Sequence, residues 1–350
     1  MKLNFCTLFN SGYLSRGIAM YDSLLRHCDN FHLFVFAFDQ KCYDYLKSQK
    51  FEHLTVVSLN EFENTDLLKI KPTRTAAEYC WTCSASTIYY SITHFNLDNC
   101  TYIDADMLFY SNPRILIDEM GVNSVLITAH RYTTLYDQST ISGKYCVQFV
   151  TFKNDERAMK LLSWWKDACI EWCYAKVEDG KFGDQKYLDE FKTLSDGIHE
   201  LNNPGGGLAP WNIQQYHFRI ESGKLTGIEI STNKKFEPVF FHFHGLKFYE
   251  NNIVCYTSEL YEINKQIQEL FYKPYVQLLN TVKNKILKTD NTFNPHGTAG
   301  ISPYKPLNLL LITRFYLSGL KQSIKNIFGQ DINKRIAHHY FFDNNEHLNS

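Results

Sequence analysis

Residues 31–38 read Phe-His-Leu-Phe-Val-Phe-Ala-Phe, and this run decides how the chain folds. It is apolar at every position but one, so a strand formed by it must be buried on both faces, as strands of a parallel sheet are. Shorter apolar runs at residues 3–9 and 53–59 flank it, with helical periodicity over residues 13–28 and from Lys41 between the runs. Strands that alternate with helices in this way predict parallel pairing through crossover helices.

The same signals continue as far as Tyr249. They predict helices over residues 75–95 and from residue 154, and strands over residues 100–103, 124–129, 145–152 and 239–242. The Gly-rich stretch 203–207 is the strongest break, and beyond Tyr249 the composition changes to helices and loops, with residues 291–304 as a linker. We therefore expect an α/β catalytic domain over residues 1–250, built on one mixed, mostly parallel sheet flanked by helices, and a helical extension over residues 251–350.

Composition excludes several classes of protein. The hydrophobic fraction of 44% allows a real core, and 36 Lys and Arg against 37 Asp and Glu argue against a nucleic-acid binder. No run approaches the roughly 18 apolar residues that span a bilayer, and residues 1–8 do not have the pattern of a signal peptide. The ten cysteines are scattered, and no second pair completes a zinc site with Cys80 and Cys83. We expect reduced thiols in a cytoplasmic protein.

Two aspartates follow a predicted strand. Asp104 and Asp106 come directly after the apolar pair Tyr102-Ile103, and their value lies in this position, since chance alone gives roughly one D-x-D in such a chain. Carboxylates at the carboxyl end of a buried strand face the ligand crevice of an open α/β sheet. Two of them one residue apart can hold a divalent cation that also binds a diphosphate. The alternative is an ordinary turn or capping pair.

A second candidate site lies at the end of the last predicted strand, where His242 and His244 are followed by Gly245 and Lys247. Alternation along a strand places the two histidines on the same face. A single histidine is usually a core or surface residue, but two on one face beside a glycine and a lysine are typical of a metal ligand next to a phosphate contact.

Two further segments could line a pocket. Asp184 and Gln185 begin a predicted helix, in which Asp184 could simply be the N-terminal cap. Trp211 and Asn212 follow the Gly-rich stretch, which could be only a connector, although an aromatic ring and an amide also suit a sugar site. The stretch lacks the G-K-[ST] of a Walker loop, which disfavours ATPase chemistry.

The order of these motifs resembles the GT-A nucleotide-sugar glycosyltransferases, most closely family 8, the group of glycogenin and the bacterial lipopolysaccharide galactosyltransferases. The resemblance covers about residues 1–250: a first strand that runs into Asn10-Ser11-Gly12-Tyr13, then the D-x-D, the D-Q pair, and the H-x-H-G-x-K segment. It implies a GT-A fold and the transfer of a hexosyl group, with retention, from a UDP-linked sugar to a hydroxyl acceptor.

The resemblance also implies roles for individual residues. Asp104, Asp106 and His242 match ligands of Mn²⁺ (or Mg²⁺), with His244 as the alternative histidine; Lys247 matches a phosphate contact; Thr7, Asn10 and Tyr13 match contacts to base and ribose; Asp184 and Gln185 match contacts near the anomeric carbon; Trp211 and Asn212 match sugar or acceptor contacts. Residues 144–149 differ from the family's usual N-S-G element, which leaves the identity of the sugar open.

Two other classes of function stay open: a nucleotidyltransferase on a related sheet, and a non-catalytic protein that binds sugars or nucleotides.

The C-terminal residues 305–335 raise a separate question, because six basic residues against Asp331 accompany apolar residues at roughly helical spacing. Such a helix could lie on an anionic membrane and bring the enzyme to a glycolipid or glycan acceptor of polysaccharide assembly. The alternative is that its apolar face packs on the catalytic domain.

Overall fold

The computed structural model describes residues 2–250, 252–258 and 260–300, and the backbone of residues 339–341. The strands are β1 (Leu3–Phe9), β2 (Phe31–Ala37), β3 (Leu54–Ser58), β4 (Asn99–Ile103), β5 (Met107–Phe109), β6 (Val125–Ala129), β7 (Tyr145–Lys153), β8 (Ile198–Glu200), β9 (Tyr216–Glu221), β10 (Lys224–Glu229), β11 (Lys235–Phe236), β12 (Phe240–His242), β13 (Lys247–Tyr249), β14 (Ile253–Cys255) and β15 (His339–Phe341). The helices are α1 (Leu14–His27), α2 (Gln40–Ser48), α3 (Leu59–Phe62), α4 (Thr65–Ile70), α5 (Ala76–His94), α6 (Arg114–Asp118), α7 (Ser139–Ser142), α8 (Glu156–Glu171), α9 (Phe191–Leu194), α10 (Lys265–Ile267) and α11 (Lys273–Thr289).

A seven-stranded sheet forms the centre of the molecule, in the order β3-β2-β1-β4-β7-β6-β8. Four neighbouring pairs are parallel, and only β7 runs antiparallel to both of its neighbours. The prediction of an α/β fold with a mixed, mostly parallel sheet flanked by helices is therefore confirmed. Three small sheets accompany it: β5 with β12, β9 to β11, and β13 to β15.

Hydrophobic cores cover both faces of the central sheet. On β1, Leu3 and Phe5 belong to the core shared with α1 and α11, whereas Cys6 and Leu8 belong to the core shared with α5 and α8. All of β2 except His32 is buried, which is why its sequence is apolar at nearly every position. The ten cysteines are free thiols in this structure, and eight of them are buried. No helix among the described residues is long and apolar enough to cross a membrane.

The region beyond residue 210 differs from the sequence-based expectation in three ways. The antiparallel sheet β9 to β11 was not predicted, and the segment after Tyr249 continues a hairpin, β13 with β14, before it becomes helical. Residues 291–304 were expected to form a linker, but within their described part His296 is only 2% exposed and the Ser15 hydroxyl donates to the Pro295 carbonyl at 2.8 Å. The predicted helix over residues 305–335 lies outside the described residues.

Candidate functional site

Three side chains converge where β4 ends. The chain leaves β4 through Asp104 and Asp106 and continues as β5, which pairs antiparallel with β12 so that His242 lies opposite Met107. The backbone N–H of Phe243 donates to the Asp106 carbonyl at 2.9 Å, which fixes the end of β12 against the D-x-D turn. Strand pairing therefore brings together residues more than a hundred positions apart.

The converging side chains form a set of metal-ligand type. The distance from His242 Nε2 is 3.1 Å to Asp106 Oδ1 and 3.7 Å to Asp104 Oδ2, and the three ligand atoms all lie within 4.8 Å of one another. Two carboxylate oxygens and one imidazole nitrogen are a donor set that Mn²⁺ accepts, and carboxylates also suit Mg²⁺. Among the described residues this is the one such cluster.

The charges of the cluster depend on one another. Burial raises the pKa of Asp104 to about 6, and the like charge of Asp106 adds to the rise. Burial acts on Asp106 too, but the charge and hydrogen bond of His242 outweigh it and hold the pKa of Asp106 at about 2. Against the effect of its own burial, the same contact raises the pKa of His242 above its ordinary value. A divalent cation would supply the positive charge that the imidazolium provides here.

The segment after β1 lies beside this cluster. Tyr13 is 42% exposed, and its pKa is raised by burial and by the charge of Asp106. Asn10 is exposed, and its side-chain oxygen accepts from the Gly12 N–H at 3.0 Å. Thr7 is fully buried in β1, and within the described part of the chain its hydroxyl has no hydrogen-bond partner.

Sequence reasoning missed Arg16, a cation at the start of α1 that is only 2% exposed. Its guanidinium donates to the carbonyls of His296 at 2.9 Å and Leu246 at 3.0 Å, and lies 4.4 Å from the centre of the Tyr13 ring. It thereby joins the first helix to the segment that follows His244. Nothing in the local sequence marks it, since arginine is common in helices.

Asp184 is 7% exposed and accepts a hydrogen bond from the Ser84 hydroxyl of α5. Its side chain makes no capping bond to the 3₁₀ helix Gln185–Glu190, so the capping alternative is not observed. Burial, together with the charge of Asp104, raises its pKa to about 7. Gln185 points toward α7, because its amide N–H donates to the Ser142 carbonyl at 2.8 Å.

The other candidates lie around His242. The Trp211 ring stands edge-on to it, with ring centres 5.4 Å apart, and is itself 3% exposed. Asn212 holds its loop together: its amide group donates to the carbonyls of His130 and Gly207 at 2.8 Å each and accepts from the Ala209 N–H at 3.0 Å. His244 and Lys247 are exposed, and the cluster does not include His244.

No model of a protein family matches the chain. Two proteins of Bacillus subtilis strain 168 are similar in sequence. The uncharacterized protein YfnD is 29% identical, and the similarity covers 78% of this chain and 87% of YfnD. The uncharacterized protein YfnF is 27% identical, and the similarity covers 84% of this chain and 97% of YfnF. Among solved structures, the galactosyltransferase LgtC in complex with donor and acceptor sugar analogues is 10% identical over 80% of this chain and 96% of its own, with a TM-score of 0.45. The glycosyltransferase GlyE of Streptococcus pneumoniae TIGR4 is 12% identical, with a TM-score of 0.43, and the similarity covers 82% of this chain and 64% of GlyE.

Proposed function

We propose that this protein is a metal-dependent glycosyltransferase that moves a hexosyl group from a nucleoside diphosphate sugar, of the UDP type, to a hydroxyl acceptor with retention. The observation that carries the proposal is the cluster of Asp104, Asp106 and His242 at the carboxyl end of β4, within electrostatic reach of the buried Asp184. In open α/β sheets this edge is where ligands bind.

The residues of the cluster would hold Mn²⁺ or Mg²⁺, which when bound supplies positive charge to the diphosphate leaving group. Lys247 would add a second positive contact to the same oxygens. Tyr13 offers a partly exposed ring for the base, with Asn10 and Thr7 at the end of the same strand. Asp184 and Gln185 would contact the transferred sugar near its anomeric carbon, and Trp211 and Asn212 would border the sugar or the acceptor.

The two alternative classes are tested by the same experiment. The purified chain is incubated with UDP-sugars, with and without Mn²⁺, and both thermal stability and release of UDP are measured. We expect Mn²⁺ and the true donor together to raise the melting temperature, since a ligand that binds only the folded state stabilises it, and we expect slow UDP release. Stabilisation without turnover would favour a binding protein. In a parallel incubation with a nucleoside triphosphate and a sugar phosphate, formation of pyrophosphate would favour a nucleotidyltransferase.

We further propose that the acceptor is a glycan or glycolipid, and that the chain works in the cytoplasm, at the inner face of a membrane. The support is the sequence of residues 305–335, with their excess of basic residues among apolar ones. Such segments bind anionic lipid by apolar burial and by charge.

A further inference from the structure

A polar residue stands inside a strand that is buried along eight of its nine residues. Gln148 lies in the middle of β7, which pairs with β4 on one side and β6 on the other, and its exposure is 0%. Its neighbours in the run Tyr-Cys-Val-Gln-Phe-Val-Thr-Phe are otherwise mostly apolar. Because a buried amide costs free energy unless it is hydrogen-bonded, its contacts show what it does there.

Both the backbone and the side chain of Gln148 contact the metal-ligand cluster. Its carbonyl accepts from the backbone N–H of Asp104 at 3.3 Å. Its side-chain oxygen Oε1 lies 2.9 Å from His242 Nδ1. Two of the three ligand residues are thus held by this one residue of the neighbouring strand.

The side-chain contact determines which nitrogen of His242 keeps its hydrogen when a metal ion takes the place of the other hydrogen. An amide oxygen can only accept, so Nδ1 must be the donor. Nε2 is then the nitrogen that faces Asp106 Oδ1, at 3.1 Å, and Asp104 Oδ2, at 3.7 Å. Histidines that bind a metal through one nitrogen usually donate the other N–H to an oxygen acceptor, which fixes the tautomer and the orientation of the ring.

We propose that Gln148 is a positioning residue, which holds His242 in the Nδ1–H tautomer with Nε2 directed at the space between the two aspartates. The inference rests on the metal site of the proposed function. It also gives a use to residues 144–149, the segment in which this sequence differs from the family's N-S-G element.

Binding of Mn²⁺ alone, followed through the EPR signal of the free ion, tests the proposal without any sugar. Gln148→Leu removes the acceptor, and we expect the Kd for Mn²⁺ to rise by about 10- to 100-fold. Gln148→Glu keeps an oxygen acceptor and should bind within a few-fold of wild type. Thr151→Val is the matched control: it lies on the same strand and loses a buried hydrogen bond to Thr101, but touches no ligand, so its Kd should not change.

A second measurement reads the tautomer directly in the wild-type protein. With the diamagnetic ion Zn²⁺ bound, ¹⁵N–¹H correlation spectra of the histidine rings should show His242 protonated at Nδ1, the signal being assigned by its loss in His242→Ala. The opposite tautomer, or Mn²⁺ binding by Gln148→Leu within twofold of wild type, would overturn the inference and leave the proposed function standing. Failure of the wild type to bind Mn²⁺ would overturn both. If Gln148→Leu does not fold, the histidine tautomer measured in the wild-type protein decides whether the inference holds.

Discussion

Asp104 and Asp106 are separated by one residue, yet their environments shift their pKa values in opposite directions. His242 Nε2 lies closer to Asp106 than to Asp104, and its positive charge keeps Asp106 ionised while burial favours the protonated form of Asp104. Asp106 therefore stays ionised to a lower pH than Asp104, and we regard it as the stronger anchor for a cation.

This difference predicts the effect of Asp106→Asn. An amide cannot supply the charge that a divalent cation requires, so Mn²⁺-dependent hydrolysis of the donor should fall at least about a hundredfold, since even indirect partners of a metal are worth 10–100-fold. The circular dichroism spectrum should not change. Asp118→Asn, which removes an exposed carboxylate at the end of α6, is the control. Activity within a few-fold of wild type would refute the D-x-D assignment.

The two histidines should differ as well. His242 is 4% exposed and faces both aspartates, whereas His244 is exposed and stands outside the cluster. We expect His242→Ala to weaken Mn²⁺ binding at least about a hundredfold and His244→Ala less than about tenfold. Calorimetric titration with Mn²⁺ measures both. The reverse order would show that His244 is the ligand and that the site rearranges on binding.

The raised pKa of Asp184 predicts how stability depends on pH. The Ser84 hydroxyl has a single hydrogen, and the Trp81 carbonyl as well as Asp184 can accept it, the former at 2.7 Å. When Asp184 is protonated, it can donate its own hydrogen to Ser84 while Ser84 donates to Trp81, so all three groups are hydrogen-bonded. The folded-state pKa of about 7 lies above the unfolded value of about 3.9, so the folded state binds more protons between these values. The contribution of Asp184 to the free energy of unfolding is therefore complete below about pH 4 and is lost as the pH rises to about 7.

Asp184→Asn removes this titration. Relative to the variant, the wild type should lose free energy of unfolding between pH 4 and pH 7, by up to about 4 kcal/mol for a shift of about three pKa units. Urea unfolding of both proteins at a series of pH values, with EDTA present, gives the difference. A constant difference across that range would mean that Asp184 titrates normally.

At the scale of elements, the Gly-rich stretch 203–207 holds β12 in place. The Gly205 carbonyl accepts from the N–H groups of Val239 and Phe240 at 2.8 and 3.2 Å, and the Leu208 carbonyl accepts from the His242 N–H at 2.8 Å. A Cβ at Gly205 would lie 2.1 Å from the Glu237 carbonyl oxygen, a distance that backbone cannot tolerate. The stretch is a connector, as one interpretation of the sequence held, but one that positions His242.

Gly205→Ala should therefore affect the site from a distance. Overpacking of this kind costs about 1–3 kcal/mol, and the displaced β12 should also weaken Mn²⁺ binding. Chemical unfolding and Mn²⁺ titration measure the two effects. Gly300→Ala is the control, because nothing lies within 4 Å of its added Cβ. A variant as stable as wild type would mean that the stretch can shift without cost.

Strands buried on two faces and helices with a clear apolar periodicity could be predicted, and elements without such a pattern could not. The bounds of β1 and β2 follow closely from apolar runs, whereas β9 alternates between buried residues such as Tyr216 and exposed ones such as His217 and was overlooked. The charged residues of the site were visible as motifs. Gln148 and Ser84 were not, because each acts on a partner roughly a hundred positions away and belongs to a common residue type.

At the scale of the whole molecule, described residues beyond 250 share a core with the central sheet. Val276 and Leu279 of α11 are fully buried in the same cluster as Phe5. The chain then returns to the first helix, where Gly297, with a φ of +57°, packs against Gly12; a Cβ at Gly297 would lie 2.9 Å from the Gly12 carbonyl oxygen. The described part of the extension is therefore joined to the segment that holds Tyr13.

This packing fixes how the membrane proposal has to be tested. A chain that ends near residue 290 would lose the contacts of Pro295 and His296 with α1, so its behaviour would report damage to the fold around the proposed site. A chain that ends at Gly300 keeps them, although it lacks residues 301–350 and with them β15, which pairs with β14. Equal Mn²⁺-dependent donor hydrolysis by the full and shortened chains is the control that the site is intact.

Flotation with lipid vesicles then tests residues 305–335. We expect the full chain to float with anionic vesicles at low ionic strength, to float less with neutral ones, and to be released by salt, because screening weakens the attraction of basic residues to lipid headgroups. The chain that ends at Gly300 should stay with the unbound protein. If both chains float equally, the contact lies elsewhere; if neither floats at low salt, the peripheral-membrane proposal is wrong and the apolar face of the segment packs on protein.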